Sequence, residues 1–245
     1  MQINNPDINF KCELSNETEK SVDIYMYGSI VDEVPRNWLT GEKMEGDFIF
    51  PQNVREMLNE AGERDVNIHL NSKGGHVFAS IPIHNFLKQA ENRITVYIDG
   101  IAASGASIIA MAADEIIMPR NTNMMIHRAS AGLFGNADDF LKQAETLEKI
   151  DESVMESYMG RFKGTKEKLI KMISEDNWLT AQECVELGLA DKIIKPEENS
   201  EKSENRSSKN VENRLKEKDI NLFKKFNKQT KKPDNESGLF NAFKN

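Results

Sequence analysis

Short segments in which apolar and polar residues alternate recur through the chain, separated by segments with apolar residues at helical spacing. The alternating segments are 22–31, 66–70, 94–98, 115–118, 123–127 and 191–195. Residues 51–62 and 77–90 have apolar side chains every three or four positions, which predicts helices. Strands that alternate with helices form βαβ units, so we expect an α/β fold with a largely parallel sheet.

The second half of the chain is dominated by helical periodicity. The predicted helices are 136–162, 165–174 and a short one that begins after Thr180 and ends at Gly188. The first of these has an apolar stripe along one face, as an amphipathic helix requires. Thr180 and Glu183 have the spacing of a capping box, and a glycine is common just past the last turn of a helix.

Composition divides the chain at residue 196, where Lys, Glu, Asn and Ser replace the apolar periodicity. Residues 196–245 carry 12 Lys/Arg and 9 Asp/Glu, so residues 1–195 hold a charge of about −11 within the total of −8. We predict a flexible segment over 1–20, a folded domain over 21–195 and a charged, disordered extension over 196–245. Such an acidic domain does not favour nucleic acid as a partner.

Other classes of protein lack their usual signals. No apolar run reaches the ~20 residues of a membrane span, and the first residues do not have the pattern of a signal peptide. Cys12 and Cys184 lie far apart, so we expect free thiols and a cytoplasmic protein rather than a disulfide. Histidines and acidic residues do not have a metal-binding spacing such as H-E-x-x-H, so we expect no metal and no cofactor.

The candidate nucleophile is Ser104, in the stretch that follows strand 94–98. Asp99 and Gly100 interrupt the strand, and the small residues 102–107 begin a predicted helix that extends to about residue 113. A serine at a strand-to-helix turn lies near amide groups that stabilise a developing anion. The alternative is that the small residues only allow close packing of the helix.

A glycine-containing turn over 71–76 also follows a strand and precedes a helix. Gly74 and Gly75 allow positive φ and let backbone amides face a ligand. The turn could form one side of an oxyanion hole or hold a phosphate, although it lacks the P-loop spacing. It could equally be a tight structural turn.

Four histidines are candidates for a general base. His127 ends an apolar run at the predicted rim of the sheet, where α/β enzymes place functional groups. His69 and His84 are expected at the surface or its boundary, and His76 directly follows the glycines. A structural role for His127 remains the alternative.

A serine and a histidine need a carboxylate that orients the imidazole. Asp176, just before the capped helix, is the candidate, and its neighbour Glu175 is the alternative. A Ser–Lys arrangement that uses Lys73 is a further alternative to the histidine base.

Five segments in order resemble the proteolytic subunit of the Clp protease, within the wider Clp protease/crotonase fold. They are Ile68–Gly75, Asp99–Ser104, Met125–His127, Asp176–Ala181 and Glu186–Asp191, and the resemblance covers about 22–195. It implies repeated ββα units with a protruding helix–strand handle. It also implies a catalytic Ser104, His127 and Asp176, with the amides of Gly75 and Gly105 as the oxyanion hole.

Residues 97–104, Asn177–Trp178 and the charged extension are similar to the prophage-encoded branch of this family, the head maturation proteases. It implies a serine endopeptidase, independent of ATP, that cuts capsid or scaffold polypeptides in the host cytoplasm. Residues 129–162 correspond to the handle through which the family self-assembles, so we expect rings. The N-terminal segment does not match the loop that meets an unfoldase, and we therefore expect no Clp ATPase partner.

Two departures from the family pattern affect the candidate site. Lys73 replaces a proline beside the glycine-containing turn, and Gly105 replaces a bulky residue after the nucleophile.

Two other functions remain open. One is a crotonase-type enzyme acting on acyl-CoA thioesters, and the other is a non-enzymatic assembly or scaffold partner.

Overall fold

The computed structural model describes residues 12–194, which form an α/β fold of ten strands and six helices. The strands are β1 (Cys12–Ser15), β2 (Ser21–Tyr27), β3 (Ser29–Ile30), β4 (Phe48–Ile49), β5 (Asp65–Ser72), β6 (Ile94–Ala103), β7 (Glu115–Pro119), β8 (Asn123–Ile126), β9 (Asn177–Thr180) and β10 (Lys192–Ile194). The helices are α1 (Pro51–Ala61), α2 (Val77–Gln89), α3 (Gly105–Ala110), α4 (Ala137–Met159), α5 (Lys166–Ser174) and α6 (Ala181–Leu187). The predicted extension over 196–245 lies outside the described residues.

Eight strands form one sheet in the order β1-β2-β5-β6-β7-β10, with β8 and β9 branching from the far end of β6. The pairs β2–β5, β5–β6, β6–β7 and β7–β10 are parallel, as the alternation of strands and helices predicts. A register shift between Leu70 and Ser72 bends β5 against β6. Beyond that shift, β6 pairs with β8 instead of β7.

The core lies on one face of the sheet. Alternate residues of β2 and β5 are fully buried, while the residues between them are half-buried on the other face. Helices α1, α2 and α3 contribute apolar side chains to the same core cluster. Burial of this apolar surface provides the main stabilisation of the domain. The sequence pattern predicts this one-sided burial, because period-two alternation puts apolar side chains on a single face.

The structure corrects the predicted end of the central strand. The sequence suggests that β6 stops at Asp99 and that a helix begins at Ala102, but β6 continues to Ala103 and α3 begins only at Gly105. Residues 101–103 remain extended because they pair with residues 123–125 of β8. This tertiary pairing outweighs the helical preference of the alanines, which acts only locally.

Two strands differ from the expected organisation. Residues 12–15 fall in the segment 1–20 predicted to be flexible, yet they form β1 at the edge of the sheet, antiparallel to β2. Leu14 packs against the core cluster, which explains why this part of the segment is held. The sequence pattern predicts no strand over residues 177–180, but these residues form β9, which pairs with β8 through its backbone.

Helix α4 is buried only near its C-terminal end. Asp151, Val154, Met155 and Tyr158 are buried, whereas residues 137–149 are exposed or half-exposed. The preceding residues 127–136 form no strand or helix. The N-terminal part of α4 and residues 127–136 therefore project from the core and correspond to the expected handle, but the strand expected in the handle is not formed over 127–136. Within residues 12–194, no helix combines the length and apolarity that crossing a bilayer requires.

Candidate active site

Three strand ends bring the predicted site residues together. Ser104 follows the last residue of β6, and its amide donates a hydrogen bond to the Met125 carbonyl of β8 at 2.9 Å. His127 lies just past the end of β8, two residues after Met125 and therefore on the same side of the strand. The pairing of β6 with β8 thus fixes the serine beside the histidine.

Ser104 has a backbone conformation that few residues adopt. Its φ is 54° and its ψ is −126°, at the N-cap position of α3. A non-glycine residue at positive φ costs free energy that the surrounding structure must supply, and such residues cluster at functional sites. Because of this turn, the backbone changes direction sharply at Ser104, between the extended β6 and the helix that follows it.

The His127 imidazole contacts the serine directly. Nε2 of His127 lies 2.6 Å from Oγ of Ser104, within hydrogen-bond distance. The histidine side chain is only one quarter exposed. A neutral imidazole at this position can accept the hydroxyl proton as the oxygen attacks a carbonyl group. Lys73, the alternative base, is exposed, and His127 is the side chain that bonds Ser104 Oγ.

Asp176 lies opposite His127 across the β8–β9 pair. Asn177 pairs with Ile126, so the next position in the antiparallel register places Asp176 beside His127. Oδ1 of Asp176 is 3.9 Å from Nδ1 of His127, which is an ion-pair distance longer than a hydrogen bond. The carboxylate is 74% exposed and its backbone φ is 50°. The alternative residue, Glu175, forms an ion pair with Lys171 instead.

The two predicted oxyanion donors lie next to each other. A Cβ atom built on Gly105 would lie 3.6 Å from the Gly75 nitrogen, so the two backbones are in close contact. Neither amide hydrogen is used in a hydrogen bond among residues 12–194. Two adjacent free amides beside a serine hydroxyl are suited to stabilising the negative oxygen of a tetrahedral intermediate.

Close contacts with neighbouring backbone explain why glycines are needed here. Gly74 has φ +91°, and a Cβ there would lie 2.5 Å from the Ala103 carbonyl oxygen and 2.8 Å from the Gly105 nitrogen. The Gly74 carbonyl accepts a hydrogen bond from Ile30, and the Ser72 hydroxyl accepts one from the Gly74 amide. The glycine turn of 71–76 therefore holds the Gly75 amide against the sharp bend at residues 103–105, which we name the serine turn.

A cleft of about 610 Å³ opens beside Ser104 and His127. Its walls include apolar residues from α2, α3 and α4, namely Phe78, Ile108, Leu147, Ile150 and Val154. The helical periodicity predicts an apolar stripe on α4, but the sequence alone does not show that the stripe lines a cleft. Phe78 lines the cleft and is 68% exposed.

Arg128 and Asp151 hold the segment that follows His127. Arg128 Nε donates to one carboxylate oxygen of Asp151 at 2.6 Å, and the amide of Ala129 donates to the other at 2.7 Å. Asp151 is buried on α4 and also raises the pKa of Arg128 by accepting its hydrogen bond. No local sequence pattern indicates this pair, because its members are 23 residues apart.

The other histidines lie outside the Ser104–His127 contact. His69 stacks between Tyr25 and Tyr97 on the half-buried sheet face and bonds Asp99 at 2.9 Å. His76 lines the cleft and forms an ion pair with Asp32. His84 bonds its neighbour Asn85. Over residues 12–194, no three His, Cys, Asp or Glu side chains form a cluster suited to a metal ion.

Comparison with known proteins agrees with the motifs and the fold. A proteolytic subunit of the ATP-dependent Clp protease from Deinococcus radiodurans is 28% identical over 135 residues, which are 54% of this chain and 66% of the relative. A subunit named proteolytic subunit 3, from Rhizobium etli, is 29% identical over 188 residues, or 74% of this chain and 90% of the relative.

A ClpP1 variant from Listeria monocytogenes has the same fold, with a TM-score of 0.58. The alignment covers 72% of this chain and 92% of the Listeria chain at 23% identity. The sequence profile described as Clp protease matches residues 53–197, which is more than half of the chain and includes every predicted site residue. The fold, the sequence relatives and this match together show that the chain belongs to the Clp protease family.

Proposed function

We propose that the chain is a serine endopeptidase that hydrolyses peptide bonds without ATP. The observation that carries the proposal is the 2.6 Å contact between His127 Nε2 and Ser104 Oγ, beside two adjacent free amides. Membership of the Clp protease family indicates a protease and supports this choice. A crotonase-type reaction would use the amides but would not need the serine–histidine pair.

In the proposed reaction, His127 takes the Ser104 proton as Oγ attacks the peptide carbonyl carbon. The carbonyl oxygen becomes negative and accepts hydrogen bonds from the Gly75 and Gly105 amides. The imidazolium then donates its proton to the leaving amine, which yields an acyl-enzyme that water hydrolyses. Asp176 stabilises the imidazolium by its charge, and a shorter contact than 3.9 Å would add a hydrogen bond.

A fluorogenic peptide assay with the full chain tests this reaction. Ser104→Ala and His127→Ala should each lower kcat by about 10⁴-fold or more, because the two residues act as a unit. Unchanged hydrolysis by folded Ser104→Ala would overturn the proposal. Hydrolysis that survives His127→Ala but disappears in Lys73→Ala would instead favour the Ser–Lys mechanism.

We also propose that the handle assembles the chain into rings. Phe134, Phe140 and Leu141 are all more than half exposed on this projecting part. Exposed apolar side chains concentrated on one projection are typical of an interaction surface. Sedimentation analysis should show an oligomer for the full chain, and a deletion of residues 129–135 should reduce its mass. An unchanged mass after the deletion would contradict assembly through the handle.

The proposed biological role is the processing of capsid or scaffold polypeptides of a prophage in the host cytoplasm. The motif of residues 97–104 and the charged extension from 196 onward support this role. Purified capsid and scaffold polypeptides of the same prophage should be cut by the wild-type chain and not by Ser104→Ala. Hydrolysis of model peptides without cleavage of those polypeptides would overturn the capsid role and leave the endopeptidase in place.

A further inference from the structure

Behind the serine turn, two hydroxyl groups form a buried chain that the proposed triad does not include. The Ser107 hydroxyl lies 2.6 Å from the Ser104 carbonyl oxygen, and it lies 2.7 Å from the Tyr158 hydroxyl. Ser107 is fully buried on α3, and Tyr158, near the end of α4, is 1% exposed. The contact therefore joins the helix that carries the nucleophile to the helix that forms a wall of the cleft.

The donors and acceptors of this chain can be assigned. A carbonyl oxygen only accepts, so the single hydroxyl hydrogen of Ser107 is donated to Ser104. The Ser107 oxygen then accepts, and Tyr158 must donate to it. Burial raises the pKa of Tyr158 above its ordinary value, so the phenol keeps its proton over the whole working pH range. We name these two residues the hydroxyl relay.

The relay acts on the peptide unit that contains the Gly105 amide. In a trans peptide the C=O and N–H bonds are coplanar and point in opposite directions. The Ser104 carbonyl points into α3, where the amides of Ser107 and Ile108 also donate to it at 2.9 Å and 3.4 Å. The Gly105 N–H must therefore point away from α3, and its direction is fixed by whatever holds the carbonyl.

This peptide unit needs such support. Ser104 is strained at φ 54°, and Gly105 has no Cβ to resist rotation of the peptide plane. Rotation of the peptide plane would move ψ of Ser104 from −126° towards the left-handed helical region, which relieves the strain at φ 54°, and it would turn the Gly105 amide away from the oxyanion. The donor must lie within about 2.7–3.1 Å of the oxyanion to be effective. A carbonyl held by a buried hydroxyl resists this rotation.

We propose that Ser107 and Tyr158 are positioning residues that aim the Gly105 amide at the oxyanion. The inference rests on the proposed endopeptidase function and adds to it two residues outside the triad and the oxyanion donors. Tyr158 also lines the cleft, but its hydroxyl reaches the Gly105 peptide unit through Ser107, so the two residues should behave as one unit in kcat.

Full-length Ser107→Ala, Tyr158→Phe and the double variant test the relay. We expect Ser107→Ala to lower kcat about 10–100-fold and Tyr158→Phe about 3–10-fold, with KM within about twofold of wild type, because only the transition state uses the donor. The double variant should be no slower than Ser107→Ala alone. Affinity for a peptide boronate, which forms a tetrahedral adduct on serine, should fall in proportion to kcat.

Thr122→Val is the matched control. Thr122 is 2% exposed, and its hydroxyl donates to the Pro119 carbonyl at 2.8 Å, in the turn before β8 and outside the residues that line the cleft. It loses a buried hydroxyl–carbonyl bond of the same kind, so it should lose similar stability and keep the wild-type kcat. If kcat falls in all the variants, including Thr122→Val, in proportion to their loss of stability, a positioning role is contradicted.

The outcomes separate the relay from the proposed function. If the wild type cleaves peptides and the folded relay variants match it in kcat and boronate affinity, the relay is overturned and the endopeptidase stands. If KM rises while kcat is unchanged, the two residues shape the cleft instead of the oxyanion hole, which also overturns the relay. A folded wild type with neither hydrolysis nor boronate binding would overturn both.

Discussion

A single methyl group added at Gly74 should separate the glycine turn of 71–76 from the serine turn. The Cβ of Gly74→Ala would lie 2.5 Å from the Ala103 carbonyl oxygen and 2.8 Å from the Gly105 nitrogen, and both are backbone atoms. Cβ contacts below 3.0 Å essentially do not occur, and contacts of 3.0–3.4 Å are already tight. The two segments must therefore move apart by about 0.5–0.9 Å, since closely packed interiors do not absorb such overlap.

This displacement is large compared with the tolerance of the oxyanion hole. A donor is effective at about 2.7–3.1 Å from the oxyanion, and the loss of one donor costs about 10²–10³ in kcat. We therefore expect Gly74→Ala to lower kcat by about 10²–10³ with a small change in KM. The alanine at positive φ should also cost about 1–2 kcal/mol of folding stability.

Two other glycines separate the causes of this loss. Gly41 has φ +73° and nothing within 4 Å of its Cβ position, so Gly41→Ala adds backbone strain without overlap. Gly160 has an ordinary φ of −62° and also has free space. Both variants should keep wild-type kcat in the peptide assay, and urea unfolding should report the strain in Gly41→Ala. A folded Gly74→Ala with kcat within a few-fold of wild type would refute the assigned donors.

Three further predictions concern the charged groups. Asp176→Asn should lower kcat about 10–100-fold, less than His127→Ala, because the 3.9 Å ion pair is exposed and screened by salt. A loss equal to that of His127→Ala would mean that a hydrogen bond forms during turnover. The hydrogen bond with Asp99 raises the pKa of His69 in the folded protein. This bond therefore stabilises the fold fully below about pH 6.5, the pKa of an unfolded histidine, and the stabilisation disappears as the pH rises through the raised pKa of folded His69. His69→Gln should therefore lose about 0.5–1 kcal/mol at pH 5.5 and less at pH 9 in urea unfolding, and an equal loss at both would contradict this. Asp151→Ala removes the acceptor of the half-buried Ala129 amide and of the Arg128 guanidinium, so it should cost about 1–3 kcal/mol and speed hydrogen exchange at residues 128–135. Unchanged exchange would show that other contacts hold the segment.

Much of this fold could be predicted because its local signals agree with its tertiary contacts. The alternation in β2 and β5 matches their one-sided burial, and Pro51 and Gly62 mark the ends of α1. The capping box of Thr180 and Glu183 is present as the spacing predicts. Such features depend on residues within a few positions of each other.

The sequence-based prediction of secondary structure was wrong where pairing between strands distant in sequence determines the local structure. The last residues of β6 include alanines, which favour a helix, but their pairing with β8 keeps them extended. Strand β9 has only four residues and exists because β8 pairs with it. Ser104 and His127 are residue types that occur throughout proteins, so their types alone do not indicate a site. Their contact depends on the same β6–β8 pairing. The relay between Ser107 and Tyr158 joins positions 51 residues apart, and no local pattern could indicate it.

Labelling with a fluorophosphonate, followed by intact-mass analysis and peptide mapping, tests the central claim most directly. The reagent reacts with a serine only when a base and an oxyanion hole activate it. The account predicts one adduct per chain, on Ser104, that is absent in His127→Ala and Ser104→Ala. A folded, oligomeric wild-type chain that takes up no label, or a label on another residue, would contradict it.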